Sequence, residues 1–92
     1  MASVKGKINL RLIAAQPPGP FLIWDTKTVG FNVRRQQSDA ITYSVIYRTR
    51  DGRQRWWKIG RHGPWTPTMA RDEAKNIIIA VDLGKDPSRQ RH

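Results

Sequence analysis

The sequence has no cysteine. That excludes a disulfide framework and any thiolate-held metal. Histidine occurs twice, at His62 and His92, too sparse to build a metal cluster, and no metal ligand is assigned. Long apolar runs are also missing. Nothing approaches the roughly 18 residues of a membrane-spanning helix. Leu10 to Ala15 is too short for the core of an export signal and is broken by Arg11. The expected setting is therefore the bacterial cytoplasm, close to the nucleoid, with no membrane partner. There is no Ser/His/Asp set, no phosphate-cradling glycine loop and no pair of carboxylates at a working spacing. No catalytic residue and no cofactor are assigned, and the chain is not expected to be an enzyme.

Acidic residues are scarce as well, seven against seventeen Lys and Arg in 92 residues. The net charge is +10 and the pI about 11.2, which points to a polyanionic partner. The charge is concentrated. Between Arg34 and Arg61, eight basic residues (Arg34, Arg35, Arg48, Arg50, Arg53, Arg55, Lys58, Arg61) face only Asp39 and Asp51, a net +6. A chain of this length is one domain with one thin core. Its hydrophobic fraction of 38%, including four Trp, two Tyr and two Phe, is enough to fill that core.

The order of patterns predicts an α+β fold: a three-stranded antiparallel sheet packed against one C-terminal α-helix, with room for a short extra edge strand on its N-terminal side. Residues 1–20 read as a flexible or loosely packed segment, since Gln16-Pro-Pro-Gly-Pro20 is neither helix nor central strand. Ile8, Leu10, Leu12 and Ile13 are available to pack on the domain edge. Phe21 to Trp24 reads as the edge strand. Val29 to Arg35 and Thr42 to Arg48 alternate with the period of half-buried strands. Thr66-Pro67 opens a helix over residues 67–83, with Thr as N-cap and Pro in the first turn. Ala70, Ala74, Ile77, Ile78 and Val81 form its apolar stripe, and Gly84 followed by Pro87 ends it. The domain thus runs over 21–87, with a tail at 88–92.

The segment Ile41 to Gly60 is the centre of this pattern. A two-residue turn at Asp51-Gly52 would set Val45 opposite Lys58, placing a lysine on the apolar face. A three-residue loop, Arg50-Asp51-Gly52, with Gly52 in the left-handed region, instead pairs Tyr47 with Arg55, Val45 with Trp57 and Tyr43 with Ile59. That register keeps Phe31, Val33, Tyr43, Val45, Tyr47, Trp57 and Ile59 on one side, under the helix. The helix carries a net charge of −1, from Arg71 and Lys75 against Asp72, Glu73 and Asp82, and suits phosphates poorly. The opposite sheet face is polar and basic, and a sheet of this kind fits the DNA major groove. Asn32, Arg34, Ser44, Arg48, Gln54 and Lys58 are the candidates for base edges, with Trp56 among them. Arg50, Arg53 and Arg61, in or beside loops, are the candidates for phosphates.

Taken together, Trp24-Asp25, Val29-Gly30-Phe31-Asn-Val-Arg34, Tyr47-Arg48, Arg53-Gln-Arg-Trp-Trp-Lys-Ile-Gly60-Arg61, Met69-Ala70-Arg71-Asp-Glu-Ala74 and Leu83-Gly84-Lys85-Asp86-Pro87 resemble the N-terminal arm-type DNA-binding domain of phage and prophage integrases, of the tyrosine recombinase family. The resemblance covers residues 24–87, with a weaker fit from Leu12. It implies a three-stranded sheet lying in the major groove of arm-type sites on double-stranded DNA. It also implies a parent protein whose core-binding and catalytic domains would follow, and partners among other integrase subunits or accessory proteins. Asn32, Trp56 and the glycine-free loop 36–40 depart from the family's usual residues.

Two other readings stay open. Trp56 could stack on a base, making the sheet a platform for single-stranded nucleic acid or RNA. The helix or the N-terminal segment could instead serve as a protein-interaction surface in a recombination complex. The remaining singular residues have plainer readings. Trp57 is core, Trp24 and Trp65 core or rim, Asp51 a turn former and His62 a loop residue near phosphate. Arg71, Asp72 and Glu73 read as a solvated helix face, with Arg71 alternatively reaching the sheet edge.

Overall fold

The computed structural model describes residues 2–36, 40–49 and 51–84. Arg50, the middle of the loop 36–40, and the segment from Lys85 to His92 lie outside the described residues. The chain runs β1 (Ala2–Gly6), α1 (Leu10–Ala14), β2 (Phe21–Asp25), β3 (Phe31–Arg35), β4 (Ile41–Arg48), β5 (Gln54–Arg61) and α2 (Pro67–Asp82). The class is α+β, as expected, but the sheet has five strands in the order β1-β2-β3-β4-β5 rather than three. The β2 to β5 strands form an antiparallel meander, and β1 adds to β2 in parallel.

The correction concerns the first twenty residues. Their composition is poor in strand formers, yet β1 gains its ladder from β2, with Val4 opposite Ile23 and Lys5 opposite Trp24. A parallel pair needs a crossover connection, and α1 supplies it. The Asn9 side chain caps α1 by accepting from the Leu12 N–H at 2.7 Å. Ile8 and Ile13 are buried in the core. Local propensity is overridden here by burial of these two side chains and by a carboxylate, Asp25 Oδ1, that accepts the Ile8 N–H at 2.9 Å.

The core lies between the sheet and α2, which packs across β4 and β5. Phe21, Ile23, Phe31, Val33, Tyr43, Val45 and Tyr47 from the strands meet Ala70, Ala74 and Ile77 from the helix, with Trp57, Ile59 and Trp65 packed at the margin. The apolar stripe of α2 therefore faces the predicted side of the sheet. Thr66 caps the helix, its hydroxyl accepting from the Met69 N–H at 3.2 Å. At the other end Gly84 sits at φ 90°, the left-handed position that glycine takes after a helix.

The β4–β5 hairpin has the predicted register near its loop: Arg48 opposite Gln54, Tyr47 opposite Arg55 and Val45 opposite Trp57. Thr49 N–H donates to the Arg53 carbonyl at 2.8 Å, Gly52 N–H donates to the Thr49 carbonyl at 3.0 Å, and Gly52 stands at φ 86°. The expected pairing of Tyr43 with Ile59 is not found. A bulge separates Ser44 opposite Lys58 from Tyr43 opposite Gly60, so Ile59 is the extra residue. The cause is Trp65. A Cβ on Gly60 would run into its indole ring, so only glycine can face the helix side there.

Candidate nucleic-acid interface

Strand alternation sends one set of side chains away from α2. Registers across the sheet align Lys5 with Trp24, Trp24 with Asn32, Asn32 with Ser44 and Ser44 with Lys58. The next rank outward places Ile46 opposite Trp56, then Arg48 opposite Gln54. Arg34 pairs with Thr42, and Thr42 with Arg61. The bulge at Ile59 changes the phase of β5, so Arg61 lies on the same outward face as Lys58 although the two are three positions apart.

Of the ten residues expected on this surface, Arg48, Arg53, Gln54, Trp56, Lys58 and Arg61 are exposed and Arg34 is half-buried. Arg50 lies outside the described residues. Asn32 and Ser44 have relative exposures of 0%. Their alternation is outward, but larger neighbours close over them. The Trp24 and Trp56 rings meet edge-to-face with centroids 6.2 Å apart and planes at 68°. The Arg34 guanidinium carbon lies 4.9 Å from the Trp56 ring centroid, a cation–π arrangement. Beneath these groups, Asn32 Nδ2 donates to the Gly30 carbonyl at 3.0 Å. Asn32 Oδ1, Ser44 Oγ and Arg34 Nε are buried and hydrogen-bond to no other protein group.

Trp24 was the residue that periodicity undervalued. Phe21 and Ile23 point into the core, so Leu22 and Trp24 must point out. The alternation of a four-residue apolar run carried that signal, but an apolar strand with few polar residues conceals it. Lys5 joins the outward face through β1, for which the sequence offers no comparable pattern.

The hairpin loop holds its charges near each other. Arg53 lies 3.6 Å from Asp51 with both side chains open to solvent, a contact of little energetic weight. The Thr49 hydroxyl donates to the Asp51 carboxylate. That hydrogen bond holds the Asp51 carboxyl below its usual pKa, with Arg53 contributing. Asp51 is thus a turn organiser, and the Arg53 side chain stays open to solvent beside it.

Several basic residues belong to the scaffold instead. Arg35 donates to the Gly19 carbonyl at 2.9 Å and to the Pro17 carbonyl at 2.7 Å, and its guanidinium lies over Phe21. Arg71 does not lie on a solvated face but reaches the sheet edge, pairing with Asp25. His62 shares a 2.5 Å hydrogen bond with the Tyr43 hydroxyl, and burial pushes the Tyr43 phenol up to about 12. Tyr43 therefore stays neutral and serves the core. No described helix is long and apolar enough to cross a membrane.

The surface opposite α2 is thus an open array of cations around a small aromatic cluster, with the hydrogen-bonding groups at its centre sealed. No curated protein matches the chain. An arm DNA-binding domain family does match, over residues 7–92. That span takes in α1 and every element after it, the aromatic cluster and the hairpin included, and the chain belongs to this arm DNA-binding domain family.

Proposed function

We propose that the chain binds double-stranded DNA in sequence-specific fashion, laying the sheet face opposite α2 into the major groove, as the arm-site-binding module of a site-specific integrase of the tyrosine recombinase type. The observation that carries this reading is the row of Arg48, Gln54 and Lys58, exposed on that face along β5 and at the end of β4, while α2 offers phosphates no surplus of positive charge. A two-stranded ribbon or sheet is of the right width for the major groove. Gln suits adenine, and Arg or Lys suits guanine. Arg53 and Arg61 at the ends of β5 are placed for phosphates, which position the protein without reading sequence. Asn32 and Ser44 act in this reading as support beneath the surface.

Partners beyond DNA follow from the same assignment: other integrase subunits and accessory proteins, met through further domains of a parent recombinase in the bacterial cytoplasm. The single-strand platform is less well supported. Trp56 is a single exposed ring already in contact with Arg34 and Trp24, whereas single-strand platforms stack successive bases on several aromatic side chains.

The test is chemical-shift mapping with duplex DNA, combined with binding to a panel of duplexes at two salt concentrations. Shifts on β3, β4 and β5 at Arg34, Arg48, Gln54 and Lys58, with a steep loss of affinity on adding salt, are expected. Shifts confined to α2 around Lys75, or a clear preference for the matching single strand, would sink the proposal.

A further inference from the structure

The geometry points to Trp56 as a reader of the thymine 5-methyl group, an inference that rests on the DNA-reading role proposed for this face. The major groove edge of each base pair is a pattern of donors and acceptors, with one apolar feature, the methyl on thymine. A surface that reads it needs an apolar group held in place at the depth of the base edges.

Trp56 meets that need. It is 43% exposed, and the other large hydrophobic residues exposed among those described are Leu10, Val29, Met69, Ile79 and Leu83. Leu10 lies on α1, and Met69, Ile79 and Leu83 on or just after α2; Val29, in the turn before β3, borders the outward face beside Trp24, Ile46 and Arg48. Trp56 stands on the edge strand β5, opposite the half-buried Ile46, and its ring reaches inward across the face to Arg34 of β3 and Trp24 of β2. The ring is held by the edge of the Trp24 pair and by Arg34 at 4.9 Å. A contact to a methyl then costs little ordering.

The surroundings exclude the obvious competitors. The amide of Asn32 and the hydroxyl of Ser44, which could have offered hydrogen bonds at this point, are both sealed. Gln54 and Lys58, both exposed, flank Trp56 two residues away along β5, so hydrogen bonding to bases falls on either side of the ring. The centre of the face offers a base edge only apolar contact and the rim of a stacked guanidinium. Thymine is the natural base with something apolar to present there.

Deoxyuridine tests this directly, because it differs from thymidine only by the missing methyl and keeps every hydrogen bond. A duplex is first enriched from a random pool by the unaltered protein, and each thymine is then replaced singly by uracil. One or two positions are expected to weaken binding about fourfold, the loss of one buried methyl. At such a position Trp56→Ala is expected to bind thymine and uracil equally, while Trp56→Leu retains part of the difference. A nuclear Overhauser contact between the Trp56 indole and that thymine methyl is expected in the unaltered complex, whatever the variants do. Tolerance of uracil at every position, a methyl seen against another side chain, or a thymine preference that survives in Trp56→Ala would each overturn the inference while leaving duplex recognition intact. Failure to enrich any duplex would remove it together with the proposed function.

Discussion

Arg71 of α2 grips Asp25 at the end of β2 through two hydrogen bonds, Nη2 to Oδ1 at 3.0 Å and Nε to Oδ2 at 3.2 Å. Asp25 has no exposed side-chain surface, and Arg71 keeps 12% of its own. The carboxylate also accepts the N–H groups of Ile8 and Thr28 at 2.9 and 2.8 Å, and Arg71 Nη2 donates further to the Ile8 carbonyl at 2.5 Å. One ion pair thus joins the N-terminal segment, β2, the turn before β3 and the helix.

Arg71→Ala leaves a buried carboxylate without its cation. A loss of about 3–5 kcal/mol of stability is expected, as when one partner of a buried pair is removed. Denaturant unfolding checks it. A loss below about 1 kcal/mol would mean that the pair is solvated in solution.

The same pair sets an acid limb. Burial pushes the Asp25 carboxyl up, but the hydrogen bonds from Arg71, Ile8 and Thr28 and the Arg71 charge outweigh it, and the net pKa lies below 3.8. A carboxyl depressed on folding adds stability above its unfolded pKa and loses it as pH falls through the folded one. Stability should therefore decline as pH drops below about 4. The gap between the unaltered protein and Arg71→Ala should narrow over the same range. Unfolding midpoints from pH 7 down to 2 would show this; a gap independent of pH would contradict it.

Gly30 stands at φ 89°, and a Cβ there would strike the Ile46 carbonyl oxygen. That oxygen belongs to a residue whose N–H donates to the Gly30 carbonyl at 2.9 Å, so the backbones cannot separate freely. Gly30→Ala should cost about 2 kcal/mol or more, read from denaturant midpoints. An unchanged midpoint would argue that β3 and β4 are looser at this point.

Ser44→Ala removes a buried hydroxyl that no protein group satisfies. Stability should stay level or rise by up to about 1 kcal/mol, and affinity for duplex DNA should not change. A marked loss of DNA affinity without loss of stability would mean that the rings part on binding and expose the hydroxyl.

Lys58→Ala and Arg34→Ala should relax sequence preference, each by about 1–3 kcal/mol of discrimination. Arg61→Ala should weaken all duplexes alike and lower the slope of affinity against salt by about one. Titrations of several duplexes at two salt concentrations separate the two behaviours. Equal, uniform losses in all three variants would refute the division.

What was legible in the chain followed from local pattern. The alternation of Phe31 and Val33 and of Tyr43, Val45 and Tyr47, the Thr66-Pro67 helix start and the Gly52 turn each rest on neighbours within a few residues. What was hidden depended on distant partners. β1 gains its ladder from β2, with the Asp25–Arg71 pair holding Ile8 just beyond it, and the Ile59 bulge sets Gly60 against the distant Trp65. Strand phase placed Asn32 and Ser44 on the outward face correctly. It could not foresee that Trp24 and Trp56 would close over them, because alternation gives direction and not depth.

The link from Arg71 to Ile8 spans sixty-three positions. On a ribosome, β1 and β2 emerge long before the helix that secures them. Until residues near Arg71 appear, the Asp25 carboxylate has no cation and β1 has only half its anchorage. Contacts so far apart in the chain form slowly, since loop closure must precede their reward. The meander from β2 to β5 should therefore assemble first and the N-terminal strand dock last. In hydrogen-exchange pulse labelling during refolding, the amides of β1 and of Ile8 should be the latest to gain protection.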